Sequence, residues 1–243
     1  AGSGTLVLSN GNIFASGGDR TIANAVTLSN NTTPAFIGDY SIAFTGAFNN
    51  ASSLNNTALT NNIAAGKTLT LGTVANTAIT ATRALTINGT GDTIITGGVT
   101  TTANFNLNLA YSGTGSLTLG GVSDINGGSM TFSSGTLKVG DNEAIPHGAA
   151  ANTLTTAASS ASTTVTVGST AGLVVGQVFT GGTAGATVVS IDGPTTFTAS
   201  AAQTLAAGAQ LLFDPKGGNV TFNPATGVSA TFDLNGKSET ING

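Results

Sequence analysis

Apolar and polar residues alternate over short stretches along the chain. Four stretches share one pattern: a small residue or Lys, then Thr or Ser, then Leu, a spacer and an aliphatic residue. They are Gly4-Thr5-Leu6-Val7-Leu8, Lys67-Thr68-Leu69-Thr70-Leu71-Gly72, Gly115-Ser116-Leu117-Thr118-Leu119-Gly120 and Gly135-Thr136-Leu137-Lys138-Val139-Gly140. Period-two alternation of this length predicts strands with one buried face. Weaker copies are Arg20-Thr21-Ile22, Val26-Thr27-Leu28, Ile42-Ala43-Phe44, Arg83-Ala84-Leu85-Thr86-Ile87 and Phe105-Asn106-Leu107-Asn108-Leu109. Turns between them are marked by Asn10-Gly11, Gly17-Gly18, Asn88-Gly89, Gly97-Gly98, Gly120-Gly121 and Asn126-Gly127-Gly128, where glycine gives positive φ at little cost.

Strand centres fall near Leu85, Leu107, Leu117 and Leu137. A coil of about 20 residues with two or three strands fits that spacing, and each coil would bury its apolar face on the next. Any single pair of strands fits a hairpin as well; the repeated offset of about 20 residues favours a solenoid over a meander.

The style changes within 152–217. Ala and Thr rise, the Gly-Thr-Leu element vanishes, and five strands are expected at Thr164–Val167, Gln177–Thr180, Thr187–Ile191, Thr195–Ala199 and Gln210–Phe213. Ser200–Ala209 reads as a loop. The expected organisation is solenoid rungs over 1–151, a small inserted β module over 152–217, and a return to rungs over 218–243. About ten coils would make a rod near 50 Å long at about 4.8 Å per coil. The insertion would project sideways and offer contacts to neighbours or ligands.

Charged residues are only 7% of the 243, against about 25% in an average globular protein. Stacked strands explain the choice, because like charges would repel at about 4.8 Å whereas Asn and Thr form ladders. The net charge of −4 and six scattered Lys and Arg argue against nucleic-acid binding. No run reaches the roughly 18 apolar residues of a membrane helix, so no membrane insertion is expected of this segment. Cysteine is absent, which excludes disulfides and thiol chemistry. With no leader visible at Ala1, the chain reads as a mature or excised piece whose export signal lies outside it.

The segments Gly135-Thr136-Leu137-Lys138-Val139-Gly140-Asp141-Asn142-Glu143-Ala144-Ile145-Pro146-His147-Gly148 and Ala230-Thr231-Phe232-Asp233-Leu234-Asn235-Gly236-Lys237-Ser238-Glu239-Thr240-Ile241-Asn242-Gly243 resemble the passenger-associated repeat of autotransporters and related bacterial surface proteins. Arg20–Leu28 resembles a third element of that class. The resemblance implies a right-handed parallel β-helix carried outside the cell, and it brings no catalytic residues. Thr240-Ile241-Asn242-Gly243 followed by Ala1-Gly2-Ser3-Gly4-Thr5 would read as an unbroken run of the repeat. That suggests one unit of a longer array or a subunit stacking head to tail.

Candidate chemistry is sparse. Asp141 and Glu143 stand two apart, but in a turn-like stretch where acids are ordinary solvated residues. Gly89-Thr90-Gly91-Asp92-Thr93-Ile94 matches half of a calcium-binding nonapeptide, with no second copy to complete six or more oxygen ligands. His147 is the single histidine and reads as a loop residue. Thr pairs at 68/70, 80/82, 153/155, 164/166 and 196/198 would build an ice-binding face only if they fell in regular columns, and their spacing is irregular. Asn31, Asn50, Asn55, Asn88 and Asn219 open Asn-x-Ser/Thr matches expected by chance in so Asn- and Thr-rich a chain. Tyr40 and Tyr111 are candidates for sugar stacking, with part-buried strand positions the plainer reading.

The expectation is therefore an all-β chain, a right-handed parallel β-helix with a small β insertion. It acts as an extracellular stalk, fibre or matrix subunit at a bacterial surface. No enzymatic role, catalytic residue, metal or cofactor is expected. Self-association is the first expected partnership, and surface glycans a further one. An adhesin or glycan-binding passenger is the alternative role; ice binding and polysaccharide cleavage rank below it.

Overall fold

The computed structural model describes residues 4–29, 32–50, 57–76, 82–101, 106–125, 128–141, 144–146, 151–170, 173, 175–176, 178–213, 219–239 and 241. No helix occurs among them. The chain divides into two compact units, one formed by Ala1–Pro146 with Gly217–Gly243 and the other by His147–Lys216.

The larger unit is a parallel β-solenoid of about five turns. Its first coil is β1 (Leu6–Leu8), β2 (Gly11–Ile13) and β3 (Arg20–Ile22). The second is β4 (Val26–Leu28), β5 (Pro34–Gly38) and β6 (Ile42–Phe44). The third is β7 (Phe48–Asn50), β8 (Thr57–Ile63) and β9 (Thr68–Leu71). The fourth is β10 (Val74–Asn76), β11 (Arg83–Asn88) and β12 (Asp92–Ile95). The fifth is β13 (Val99–Thr101), β14 (Leu107–Tyr111) and β15 (Ser116–Leu119). A sixth holds β16 (Met130–Phe132) and β17 (Gly135–Val139).

In the smaller unit come β18 (Ala151–Leu154), β19 (Ser159–Thr166), β20 (Phe179–Thr180), β21 (Val188–Gly193), β22 (Thr196–Leu205) and β23 (Gln210–Phe213). The chain then rejoins the solenoid with β24 (Val220–Phe222) and β25 (Ala230–Asp233).

Every third strand pairs in parallel, so the coils build three sheets. Sheet A runs β1-β4-β7-β10-β13, sheet B runs β2-β5-β8-β11-β14-β16-β24, and sheet C runs β3-β6-β9-β12-β15-β17-β25. The coils differ in length, from the short one spanned by Leu6↔Val26 to the long one spanned by Thr57↔Leu85. Met130↔Val220 falls within that range once the chain of the smaller unit, His147–Lys216, is set aside. Seven strands at about 4.8 Å make a stack of about 30 Å, shorter than the expected ten coils and roughly 50 Å. Most coils are longer than the expected period, and the strands of the smaller unit join none of the three sheets.

Inward columns are apolar from coil to coil. Ile42, Leu69, Leu117 and Leu137 share one column of sheet C, and all are buried. Leu59, Ile87, Tyr111 and Phe132 share one of sheet B. Phe44 meets Phe36 and Phe48 edge to face at 5.8 and 5.9 Å, joining the three sheets at the core.

Between Leu69 and Leu117 the sheet C column is broken by buried Thr93, which is matched by buried Asn61. The Asn61 amide donates to the Thr93 hydroxyl at 3.0 Å and to the Asp92 carbonyl at 2.9 Å. Its side-chain oxygen accepts the Ile63 N–H at 3.1 Å. Burying an amide costs little when its bonds are met in this way. Gly91 makes room for this corner, because a Cβ there would stand 2.8 Å from Asn61 Oδ1 and 2.9 Å from the Ile63 carbonyl.

The four Gly-Thr-Leu stretches do not fall on one side of the coil. Leu6–Leu8 lies in sheet A, whereas the strands at Thr68–Leu71, Ser116–Leu119 and Gly135–Val139 lie in sheet C. The motif encodes a strand and its turn, not a position in the coil. Of the Phe105–Leu109 stretch, Phe105 lies outside the described residues.

The smaller unit is antiparallel, with sheets β18-β23-β20 and β19-β22-β21. Phe179, Phe197 and Phe213 meet at its core with ring centroids 5.2–5.4 Å apart. Two expectations are corrected here. Ala151–Leu154 is a strand, and Ser200–Leu205 continues β22 instead of looping. Gln203 hid the alternation, because a polar residue occupies an inward position. It is fully buried, accepting the Thr183 N–H at 2.8 Å and donating to the Ala201 carbonyl at 2.8 Å. β19 carries register shifts around Ala161, whose φ is 47°.

Gly91→Ala is expected to lower stability by about 1–3 kcal/mol through overpacking. Gly4→Ala, with nothing within 4 Å of the added carbon, should change it by less than about 0.5 kcal/mol. Chemical denaturation of the two variants checks the difference. Ala161→Gly should instead stabilise the smaller unit by about 1 kcal/mol, since only alanine is penalised for a left-handed backbone; a lowered or unchanged unfolding midpoint would contradict that geometry.

Candidate functional surface

The outward positions form columns as the inward ones do. On sheet C they are Thr21, Ala43, Thr70, Ile94, Thr118, Lys138 and Asp233. On sheet B they include Ala58, Thr86, Ala110, Thr131 and Thr221. On sheet A they are Val7, Thr27, Asn49, Ala75 and Thr100. These faces are short and mostly neutral. Threonine recurs, but Ala43, Ile94 and Lys138 interrupt it on sheet C, so no unbroken threonine lattice forms there. Thr164/Thr166 and Thr196/Thr198 pair across β19 and β22 in the smaller unit. Thr80 and the Thr153 side chain lie outside the described residues.

At the corners one device repeats. The side-chain oxygen of an Asn or Asp accepts the N–H, and approaches the hydroxyl, of a Ser or Thr one coil further on. Asn10 does this for Thr33 (2.7 and 3.4 Å), Asn62 for Thr90 (3.1 and 3.5 Å) and Asn108 for Ser129 (2.9 and 3.3 Å). Asp92 does it for Ser116 at 2.8 Å in both bonds. Corner amides outside the ladders thus gain partners. Asp92, half of a calcium motif by sequence, is in place a clamp between coils four and five.

Asp19 extends the device. Its carboxylate accepts the Ser41 N–H at 2.9 Å and faces the Lys67 ammonium at 3.3 Å, linking three coils. The Ser41 amide, then Lys67, holds the Asp19 carboxyl below its ordinary value of 3.8. In the smaller unit, Asp192 accepts the hydroxyls of Ser190 and Thr198, both at 2.7 Å, and these hold its carboxyl low as well.

Tyr111 is a core residue, 1% exposed, and offers no sugar platform. Burial, then the Asp92 charge, pushes its hydroxyl up to about 12. Tyr40 is at the surface. Asp141 is described, whereas Glu143 and His147 lie outside the described residues. Among the described residues no three His, Asp or Glu side chains converge as metal ligands would. Asn50 is fully buried, Asn219 is exposed, and Asn31 and Asn55 lie outside the described residues.

Comparisons with protein families, curated proteins and solved structures find no match to this chain.

One carboxylate with a structural role escaped the sequence reading. Glu239 accepts the consecutive N–H groups of Ala144 and Ile145 at 2.8 and 3.1 Å, fastening the last segment to the coil beneath it. No local pattern announces it, because its partners stand 95 and 94 residues away in the chain.

Asp19 and Asp192 have folded values below their unfolded ones. Their contribution is therefore present above the ordinary carboxylate range and is lost as pH falls through that range into the lowered values. Tyr111 acts at the other end, where stability falls as pH rises from about 10 to about 12 because only the unfolded chain ionises freely. Thermal unfolding across pH checks both limbs. Asp19→Asn should flatten the acid limb, and Tyr111→Phe should remove the alkaline one.

Proposed function

We propose that the chain is a non-enzymatic structural module, a β-solenoid stalk, fibre or matrix subunit carried on the outside of a bacterial cell. The observation that supports this most is the continuity of the parallel ladders, seven strands deep in sheets B and C. Such a stack holds its backbone amides in bonds along one axis, and its side chains interlock in columns. It resists bending and proteolysis with no cofactor or disulfide. The neutral outward columns suit close packing with other surfaces, because few charges need to be desolvated. The autotransporter-like segments support a location outside the cell.

A coil edge accepts another coil whichever chain supplies it, so the reading includes self-assembly, end to end or side by side. An adhesin or glycan-binding domain is the second reading, favoured by a hydroxyl-lined recess at the corner of the last three coils.

Negative-stain microscopy of the purified chain over a concentration series, with light scattering in parallel, tests the assembly. Filaments or sheets whose mass grows with concentration are expected. Particles of one-chain mass at every concentration would sink the self-assembling form of the proposal.

A further inference from the structure

The corner between sheets B and C changes length sharply over the last three coils. It takes residues 112–115 between β14 and β15, only Ser133 and Ser134 between β16 and β17, and residues 223–229 between β24 and β25. The longest turn is closed by the Val228 N–H donating to the Ala225 carbonyl at 3.0 Å, with Gly227 at φ 81°. A short corner between two longer ones leaves a recess of about 290 Å³. Thr114, Ser134, Thr136, Val228, Ser229 and Thr231 line it. Gly135, at φ 70°, completes its wall, and a side chain there would run into the Gly113 and Gly115 carbonyls.

The chemistry of this lining is specific in what it lacks and what it repeats. Among the described residues no ionisable side chain lines it, so nothing there neutralises a phosphate, a carboxylate or an ammonium group. Five of its side chains are hydroxyls, each able to donate one hydrogen bond and accept others. Ser134 is buried, and its hydroxyl donates to the Gly113 carbonyl at 2.8 Å, which leaves it an acceptor. Val228 is 44% exposed and adds an apolar surface. A ligand with alternating hydroxyl edges and C–H faces, and no charge, matches both properties.

We propose that this recess binds an uncharged, hydroxyl-rich chain, that is, a neutral oligosaccharide or the neutral stretch of a surface glycan. Hydroxyl pairs exchange with water at little net gain, so one recess binds weakly, with a Kd on the order of a millimolar. Many copies on one surface would bind far more tightly through multivalency. The proposal rests on and sharpens the glycan-binding reading, and it stands apart from the structural one, because a rod can form with this recess occupied or not.

The test is an NMR titration of the full chain with uncharged glucose and mannose hexasaccharides, beside a sulfated hexasaccharide. Saturable shifts at Thr114, Ser134, Thr136 and Thr231 are expected with an uncharged sugar. Ser229→Trp, which fills the recess from an exposed position, should weaken binding by about tenfold or more. Thr231→Val, which removes a single hydroxyl, should weaken it by roughly two- to tenfold. Thr231→Val keeps the test readable if the larger substitution disturbs the fold. Absence of shifts at these residues with every uncharged sugar, binding by the sulfated sugar alone, or undiminished binding by folded Ser229→Trp and Thr231→Val would each overturn the proposal.

Discussion

The ladder hydrogen bonds of the three sheets point along the stack, and each strand residue therefore lives about 4.8 Å from its counterpart one coil away. That spacing is the constraint from which the rest follows. A residue in a column must tolerate a neighbour of similar kind on both sides. Apolar side chains do so by stacking, as Leu85, Leu109 and Met130 do in sheet B. Like charges do not, and the chain is 7% charged. The exceptions are instructive. Where a carboxylate stands in a corner column, as Asp19 and Asp92 do, the next coil offers it an N–H or a hydroxyl, and for Asp19 the coil after that adds an ammonium group.

The same constraint gives polar residues their work. Asn, Ser and Thr are abundant because corners have amides that no ladder pairs, and an Asn oxygen one coil away reaches both the amide and the hydroxyl of a Ser or Thr. Where the coil turns most tightly, even a methyl group collides with the coil beneath. Gly91 is such a place, and the buried amide of Asn61 fills the space that its missing side chain leaves.

Much of this was legible in sequence. Alternation marked the solenoid strands, and the offset between Leu117 and Leu137 is a true register pair. What was hidden was the variation in coil length, between the extremes of Leu6↔Val26 and Thr57↔Leu85, because corners absorb insertions without disturbing the ladders. A fixed period therefore overcounted the coils. It also gave no warning that Leu6–Leu8 and Ser116–Leu119 lie in different sheets. Residues such as Asn61, Gln203 and Glu239 were opaque for another reason. Their partners Asp92, Thr183 and Ala144 are far off in the chain, and only the fold brings them together. The recess between short and long corners is a property of neighbouring coils, invisible in either alone.

The central claim is that this sequence stacks as parallel coils in one register. The chain has no cysteine, so double cysteine variants can carry spin labels in pairs along the outward column of sheet C, with their separations read by electron–electron resonance. Thr21 with Thr118 spans four coils, and Thr21 with Lys138 spans five. Backbone separations of about 19 and about 24 Å are predicted, rising by one coil spacing. Distances that fail to rise by that step, or that spread broadly in either pair, would contradict the stack.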